Sequence, residues 1–184
     1  MAPFVFPGPV PVEALAYLRA RGKLKASFSY VDVWREEHAS TFTVAKAMQL
    51  DVLADIRAAV DKALAEGRTF RDFAKDLRPE LERKGWWGRK EMTDPLTGEV
   101  RQAQLGSPRR LKTIYATNLR TARAAGQWER IQRTKAALPM LLYGPGPARE
   151  HRPEHAQWFG ILLPADHEFW KTHFTPNGWG CVCR

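Results

Sequence analysis

The chain has 184 residues, 44% of them hydrophobic, with 29 Lys and Arg against 20 Asp and Glu and a formal net charge of +9. That length and apolar content support one generous domain or two small ones around a buried core, and exclude a wholly disordered chain. The positive balance favours an anionic partner, nucleic acid or an acidic protein surface, although a solvated basic surface has the same composition.

Two cysteines one residue apart, Cys181 and Cys183, argue against a secreted disulfide scaffold, because neighbours at i and i+2 rarely reach bridging geometry. The opening MAPFVFPGPVPVEALAYLRARG lacks a basic lead before its apolar part and carries four prolines, which is not a signal-peptide pattern. No run approaches a membrane span in length. A cytosolic protein without membrane contact is expected.

Residues 3–11 form a Pro-rich apolar lead that cannot be helical and whose Phe4, Val5 and Phe6 call for cover. Residues 12–21 carry Leu15 and Leu18 ahead of Gly22, a short helix with a stop. The following segment, 29–41, holds Trp34 and His38 at helical spacing, with His38 read as a surface or capping residue. Met48, Val52, Leu53, Ile56, Val60 and Leu64 then make one apolar stripe ending at Gly67. Thr69 and Asp72 suit a capping box for a second helix lined by Phe70, Phe73, Leu77 and Leu81 and stopped by Gly85. The two predict a helical hairpin whose mixed charges face solvent.

Trp86 and Trp87 between glycines could stack on bases, but such a pair more often closes a helical core, and the core reading is preferred. The polar stretch 89–110 has turn signals at Asp94-Pro95 and Thr97-Gly98, consistent with a β-hairpin or an extended loop. Ser107-Pro108 signals a helix start. The helix that follows holds Arg109, Arg110, Lys112, Arg120, Arg123, Arg130, Arg133 and Lys135, opposed within the segment by Glu129 alone. It is the expected contact for nucleic acid or an acidic partner, because uncompensated cations release counterions from a polyanion. Gly126 is a predicted kink or break, and Pro139 a predicted end.

Met140 to Tyr143 and Phe159 to Leu163 read as two short strands, the second stopped by Pro164. The fold class is therefore α+β: a helix-rich amino-terminal part, with a helical hairpin and a long basic helix, followed by a small loop-rich unit. Residues 151–184 concentrate four of five histidines, both cysteines and three of seven tryptophans. Three readings of them stand. Cys181, Cys183, His155 and His173 could hold zinc, although Cys-x-Cys is narrower than the usual ligand spacing. His155, with Arg152 and Tyr143, could form a hydrolytic or transferase centre, although no paired carboxylate or nucleophile motif accompanies them. In the preferred reading the cluster is structural: Arg152 and His155 cross-link loops, Phe169, Trp170 and Trp179 fill a core, and the thiols are buried.

Several of these residues carry a family resemblance. Tyr115-x-Thr117-Asn118-x-Arg120, Gly126-Gln127-Trp128, Arg152-x-x-His155 with Gly160 five residues on, Asp166-x-x-Phe169-Trp170 and Pro176-Asn177-Gly178-Trp179-x-Cys181-x-Cys183 resemble the phage Mu protein F-like family of minor head, or head morphogenesis, proteins. Upstream, residues 38–45 and Gly85-Trp86-Trp87-Gly88 are also similar to it. The resemblance implies a non-enzymatic minor capsid protein of a tailed phage without a cofactor, acting in procapsid assembly at or near the portal. Implied partners are the portal protein, a major capsid or scaffold protein and packaged DNA; the implied location is the capsid interior or portal region, and the host cytoplasm during assembly. Residues 107–184 would be the head morphogenesis domain and 1–106 a mainly helical region. One position departs: many members carry arginine between the two cysteines, where this chain has Val182. The competing classes are a nucleic-acid-directed enzyme, a nuclease or transferase using His155 and Arg152, and a plain basic DNA-binding module.

Overall fold

In the computed structural model, residues 11–29, 41–178 and 180–184 are described. The Pro-rich lead up to residue 10, Trp34, His38 and Trp179 lie outside them. The first helix, α1 (Val12–Ala20), buries Ala14, Leu15 and Leu18. Two-residue strands β1 (Lys23–Leu24) and β2 (Thr41–Phe42) pair in parallel. The apolar stripe becomes α2 (Leu50–Ala65), with Val52, Leu53, Ile56, Val60 and Leu64 no more than 1% exposed. Its predicted first member falls outside: Met48 is 40% exposed and precedes the helix, because Gln49 at the N-cap is still extended. Helix α3 (Phe70–Arg83) starts as expected. The Thr69 hydroxyl accepts from the Asp72 backbone N–H at 3.3 Å and donates to the Asp72 carboxylate at 2.7 Å.

Between α3 and the long helix, β3 (Arg89–Thr93) and β4 (Val100–Gln104) pair antiparallel from Arg89–Gln104 to Thr93–Val100, so the polar stretch is a hairpin. Trp86 closes the helical core, 4% exposed, with its indole N–H donating to the Lys46 carbonyl at 2.8 Å. Trp87 packs partly buried at the same edge under the Arg78 guanidinium. Both tryptophans thus serve the core.

Helix α4 (Pro108–Thr134) runs for 27 residues, roughly 40 Å at 1.5 Å per residue. Its N-cap Ser107 accepts from the Arg110 N–H at 3.2 Å. Gly126 does not break it. A Cβ there would lie 3.0 Å from the Ala14 nitrogen and 3.3 Å from the Glu13 Cβ, so the missing side chain lets α1 cross close against α4. Leu111, Ile114, Leu119 and Ala122 join the core formed with α1, α2 and α3, while Trp128, further along, packs into a second cluster. One helix therefore carries side chains into both cores.

That second cluster is the carboxy-terminal unit: β5 (Met140–Leu142), the short α5 (Pro153–Ala156), β6 (Leu162–Pro164) and α6 (Phe169–His173). Strands β5 and β6 pair antiparallel, Met140 opposite Pro164 and Leu142 opposite Leu162. The second strand is displaced from its predicted span, because Phe159 and Gly160 belong to the turn after α5. Pro164 closes the ladder from within it, at the end of an edge where a missing N–H is tolerated. Tyr143, Trp170, Cys181 and Cys183 are buried here, with Trp158, Phe159, Phe169 and Phe174 packed around them. The architecture is α+β. Among the described residues, no helix is long and apolar enough to cross a membrane.

Candidate functional site

The basic helix is less free than its sequence suggests. Arg110 turns inward: its guanidinium donates to the carbonyls of Gln104, Leu105 and Ala45 and lies 4.9 Å over the Trp86 ring. Arg120 donates to the Cys181 carbonyl at 2.8 Å. Arg133 and Arg130 both reach Glu13 of α1, at 2.7 and 3.6 Å. Glu13's backbone hydrogen bond, and then the Arg133 hydrogen bond, hold its carboxyl below the usual range. Lys135 pairs with Asp166 at 2.6 Å. The charge that looked opposed by Glu129 alone is therefore answered by carboxylates from α1 and from the tail. Arg109, Lys112 and Arg123 remain exposed, with no ion pair among the described residues. At 100° per residue these three fall within about 60° of one another, on one face of α4.

In the carboxy-terminal unit, Pro153 opens α5 and places His155 inside, 8% exposed and stacked on Trp158 at 5.1 Å. Its Nδ1 lies 3.7 Å from the sulfur of Cys181 and 3.7 Å from that of Cys183. Both thiols are free and buried. Burial, and then the Arg152 charge, lowers the His155 pKa below its ordinary range. Burial likewise pushes the Cys183 thiol and the Tyr143 phenol up. The Tyr143 hydroxyl accepts from the Asn177 amide at 3.3 Å.

The remaining predicted residues are distributed around this cluster. Arg152 donates to the Asn177 carbonyl at 3.3 Å, the Gly160 N–H donates to the Tyr143 carbonyl at 2.9 Å, and the Trp170 indole donates to the Pro164 carbonyl at 2.9 Å. Phe169 stacks on His173 at 4.3 Å. His173 is outside the thiol cluster, with Nδ1 hydrogen-bonded to the Thr172 hydroxyl and the Phe169 carbonyl. His155, Cys181 and Cys183 come together without it.

Sequence reasoning missed two features of the tail. First, residues 181–184 return to the start of the unit: the Arg184 N–H donates to the Gly144 carbonyl at 3.0 Å, and the Gly144 N–H donates back. A Cβ on Gly146 would sit 1.5 Å from the Val182 carbonyl oxygen, so that crossing requires glycine. Gly146→Ala is expected to lift the tail and cost about 1–3 kcal/mol, measured by denaturant unfolding, with faster thiol labelling of Cys181 and Cys183. Unchanged stability and labelling would mean that the tail does not hold this path. Gly144-Pro145-Gly146-Pro147 was the available signal, but it reads as a turn without naming what crosses it. Second, an open cleft of about 360 Å³ lies between α4 and the tail, with Arg120, Arg123, Gln127, Thr175 and Arg184 on its walls.

These features define an α+β protein in which one long basic helix joins a helical core to a loop-rich aromatic unit that buries a histidine and two thiols. The chain belongs to the family described as phage Mu protein F like protein, whose family model matches residues 54–184. It is 41% identical over 174 residues to "Putative capsid assembly protein F" of Escherichia phage Mu, covering 95% of this chain and 39% of that protein. It is 37% identical over 161 residues to "Mu-like prophage FluMu F protein" of Haemophilus influenzae, covering 88% of this chain and 38% of that one. The chain thus spans well under half the length of these two relatives. No solved structure matches it.

Proposed function

We propose that this protein is a minor head component of a tailed phage that acts in head assembly at the portal and also touches packaged DNA. The observation that carries this reading is the 41% identity, across nearly the whole chain, to a protein described as a capsid assembly protein. A surface suited to protein contact supports it. Along the β5–β6 ribbon, Met140 and Leu142 share a face with their cross-strand partners Pro164 and Leu162, while Leu141 and Leu163 pack into the core. Met140, Leu142 and Leu162 are 45%, 61% and 55% exposed, and Leu138 beside them 68%. Such an apolar face is the kind of surface that a protein partner covers.

His155 offers little for hydrolysis: it is sequestered between two thiols and a tryptophan, and Arg152 is directed to a backbone carbonyl. The role is non-enzymatic, and the protein resides in the virion, in the capsid interior or at the portal. The genetic test is removal of the gene that encodes the chain. Lysates are expected to lack DNA-filled heads until the full-length gene is supplied in trans; normal yields of filled heads without it would contradict the assembly role.

DNA contact falls to Arg109, Lys112 and Arg123, the three exposed cations of α4 without a partner among the described residues. Three phosphate contacts give a slope of log Kobs against log salt of about −3, whereas all eight predicted cations would give about −7. A filter-binding or anisotropy series across salt concentrations measures the slope. A value near zero would remove DNA contact from the account, and a value near the larger figure would show that the internal ion pairs open on binding.

A further inference from the structure

We propose that His155, Cys181 and Cys183 form a buried structural site for a divalent zinc-like metal, with the two thiolates and one imidazole nitrogen as its protein ligands. Zinc bonds of about 2.3 Å to sulfur and about 2.0 Å to nitrogen, at a tetrahedral angle, place sulfur and nitrogen about 3.5 Å apart. Both observed separations are 3.7 Å, and the three donor atoms lie within 4.8 Å of one another.

Hydrogen bonding alone accounts for this arrangement poorly. A neutral imidazole Nδ1 has either one lone pair or one N–H, yet two sulfurs stand equidistant from it. A metal ion satisfies all three atoms at once. Charge favours it as well: two thiolates and a divalent cation sum to zero, so the cluster, with each member under 9% exposed, buries no net charge. No carboxylate joins the group among the described residues, which selects soft or borderline ions such as zinc over magnesium or calcium. Three protein ligands leave the fourth position to a water molecule.

The ion would tie the α5 turn to a segment 26 residues on, and Arg120 holds the Cys181 carbonyl from the other side. The metal would thereby lock the tail against α4. This inference is independent of the assembly role, since a metal staple serves any function of the unit.

The test uses the full-length protein expressed in zinc-supplemented medium under reducing conditions. Elemental mass spectrometry is expected to find about one zinc per chain, and Cys181→Ser or Cys183→Ser to lower the content about tenfold or more. His173→Ala is expected to leave it unchanged. Should the serine variants fail to fold, cobalt titration of the chelator-stripped wild-type protein decides: tetrahedral d–d absorption with a thiolate charge-transfer band supports the site. A folded protein that takes up neither zinc nor cobalt at micromolar concentration would overturn it. So would a native Cys181–Cys183 disulfide.

Discussion

Arg110→Ala is expected to destabilise the protein by about 2–4 kcal/mol, a fall in Tm of roughly 5–15 °C, while leaving the salt slope of DNA binding unchanged. The reason lies in what its guanidinium holds. Removing it strips charged donors from the carbonyls of Gln104, Leu105 and Ala45, where β4, the turn before α4 and the loop before α2 converge. It also removes a cation from the face of Trp86, worth about 0.5–1 kcal/mol. Burial lowers the Arg110 pKa, in keeping with its interior position. Arg110→Lys is expected to recover only part of the loss, because an ammonium is a point charge and cannot fork to three acceptors. An Arg110→Ala protein of wild-type Tm with a shallower salt slope would instead make this residue a contact for polyanions.

Tyr143→Ala should cost more, about 3–5 kcal/mol, and the damage should be centred on the carboxy-terminal unit. The ring is 1% exposed, with Trp158 at 5.6 Å, Phe159 and Phe169 at 6.2 Å and Trp170 at 6.4 Å. Truncation leaves a cavity at the point these rings share, and also frees the Asn177 amide from the hydroxyl. Tyr143→Phe keeps the packing and loses only the hydroxyl's bonds, about 1 kcal/mol. Near-ultraviolet circular dichroism, to which Trp158 and Trp170 contribute, is expected to flatten in the alanine variant before helical signal is lost. If the alanine and phenylalanine variants proved equally stable, Tyr143 would not be the centre of this core.

The elements that local pattern governs were legible in the sequence. The stripe from Val52 to Leu64, the Thr69 cap, the Ser107-Pro108 start and the core role of Trp86 each follow from a few neighbouring residues, and the folded chain uses them so. What escaped depends on residues far apart along the chain. Glu13 neutralises Arg133 across 120 positions and Asp166 takes Lys135 across 31, so charge counted along α4 overstated the free charge. Gly126 looked like a helix breaker because its purpose, the approach of α1, lies in another element. Histidines of the tail look alike in sequence. The fold separates His155, held against two sulfurs, from His173, held against Phe169. The family resemblance, carried mainly by residues 115–183, agrees with the match over residues 54–184.

The assembly role is tested most directly by co-purification of the tagged full-length protein with the portal protein of the same phage, after nuclease treatment, in low and in high salt. Portal protein is expected to remain bound in both, because the proposed contact is the apolar face of Met140, Leu142 and Leu162 rather than an ionic one. The double variant Leu142→Lys and Leu162→Glu, an opposite-charge pair across the β5–β6 ladder, should fold with near-wild-type Tm and lose the portal. Recovery of no portal with the wild-type protein, or recovery abolished by nuclease, would contradict the account.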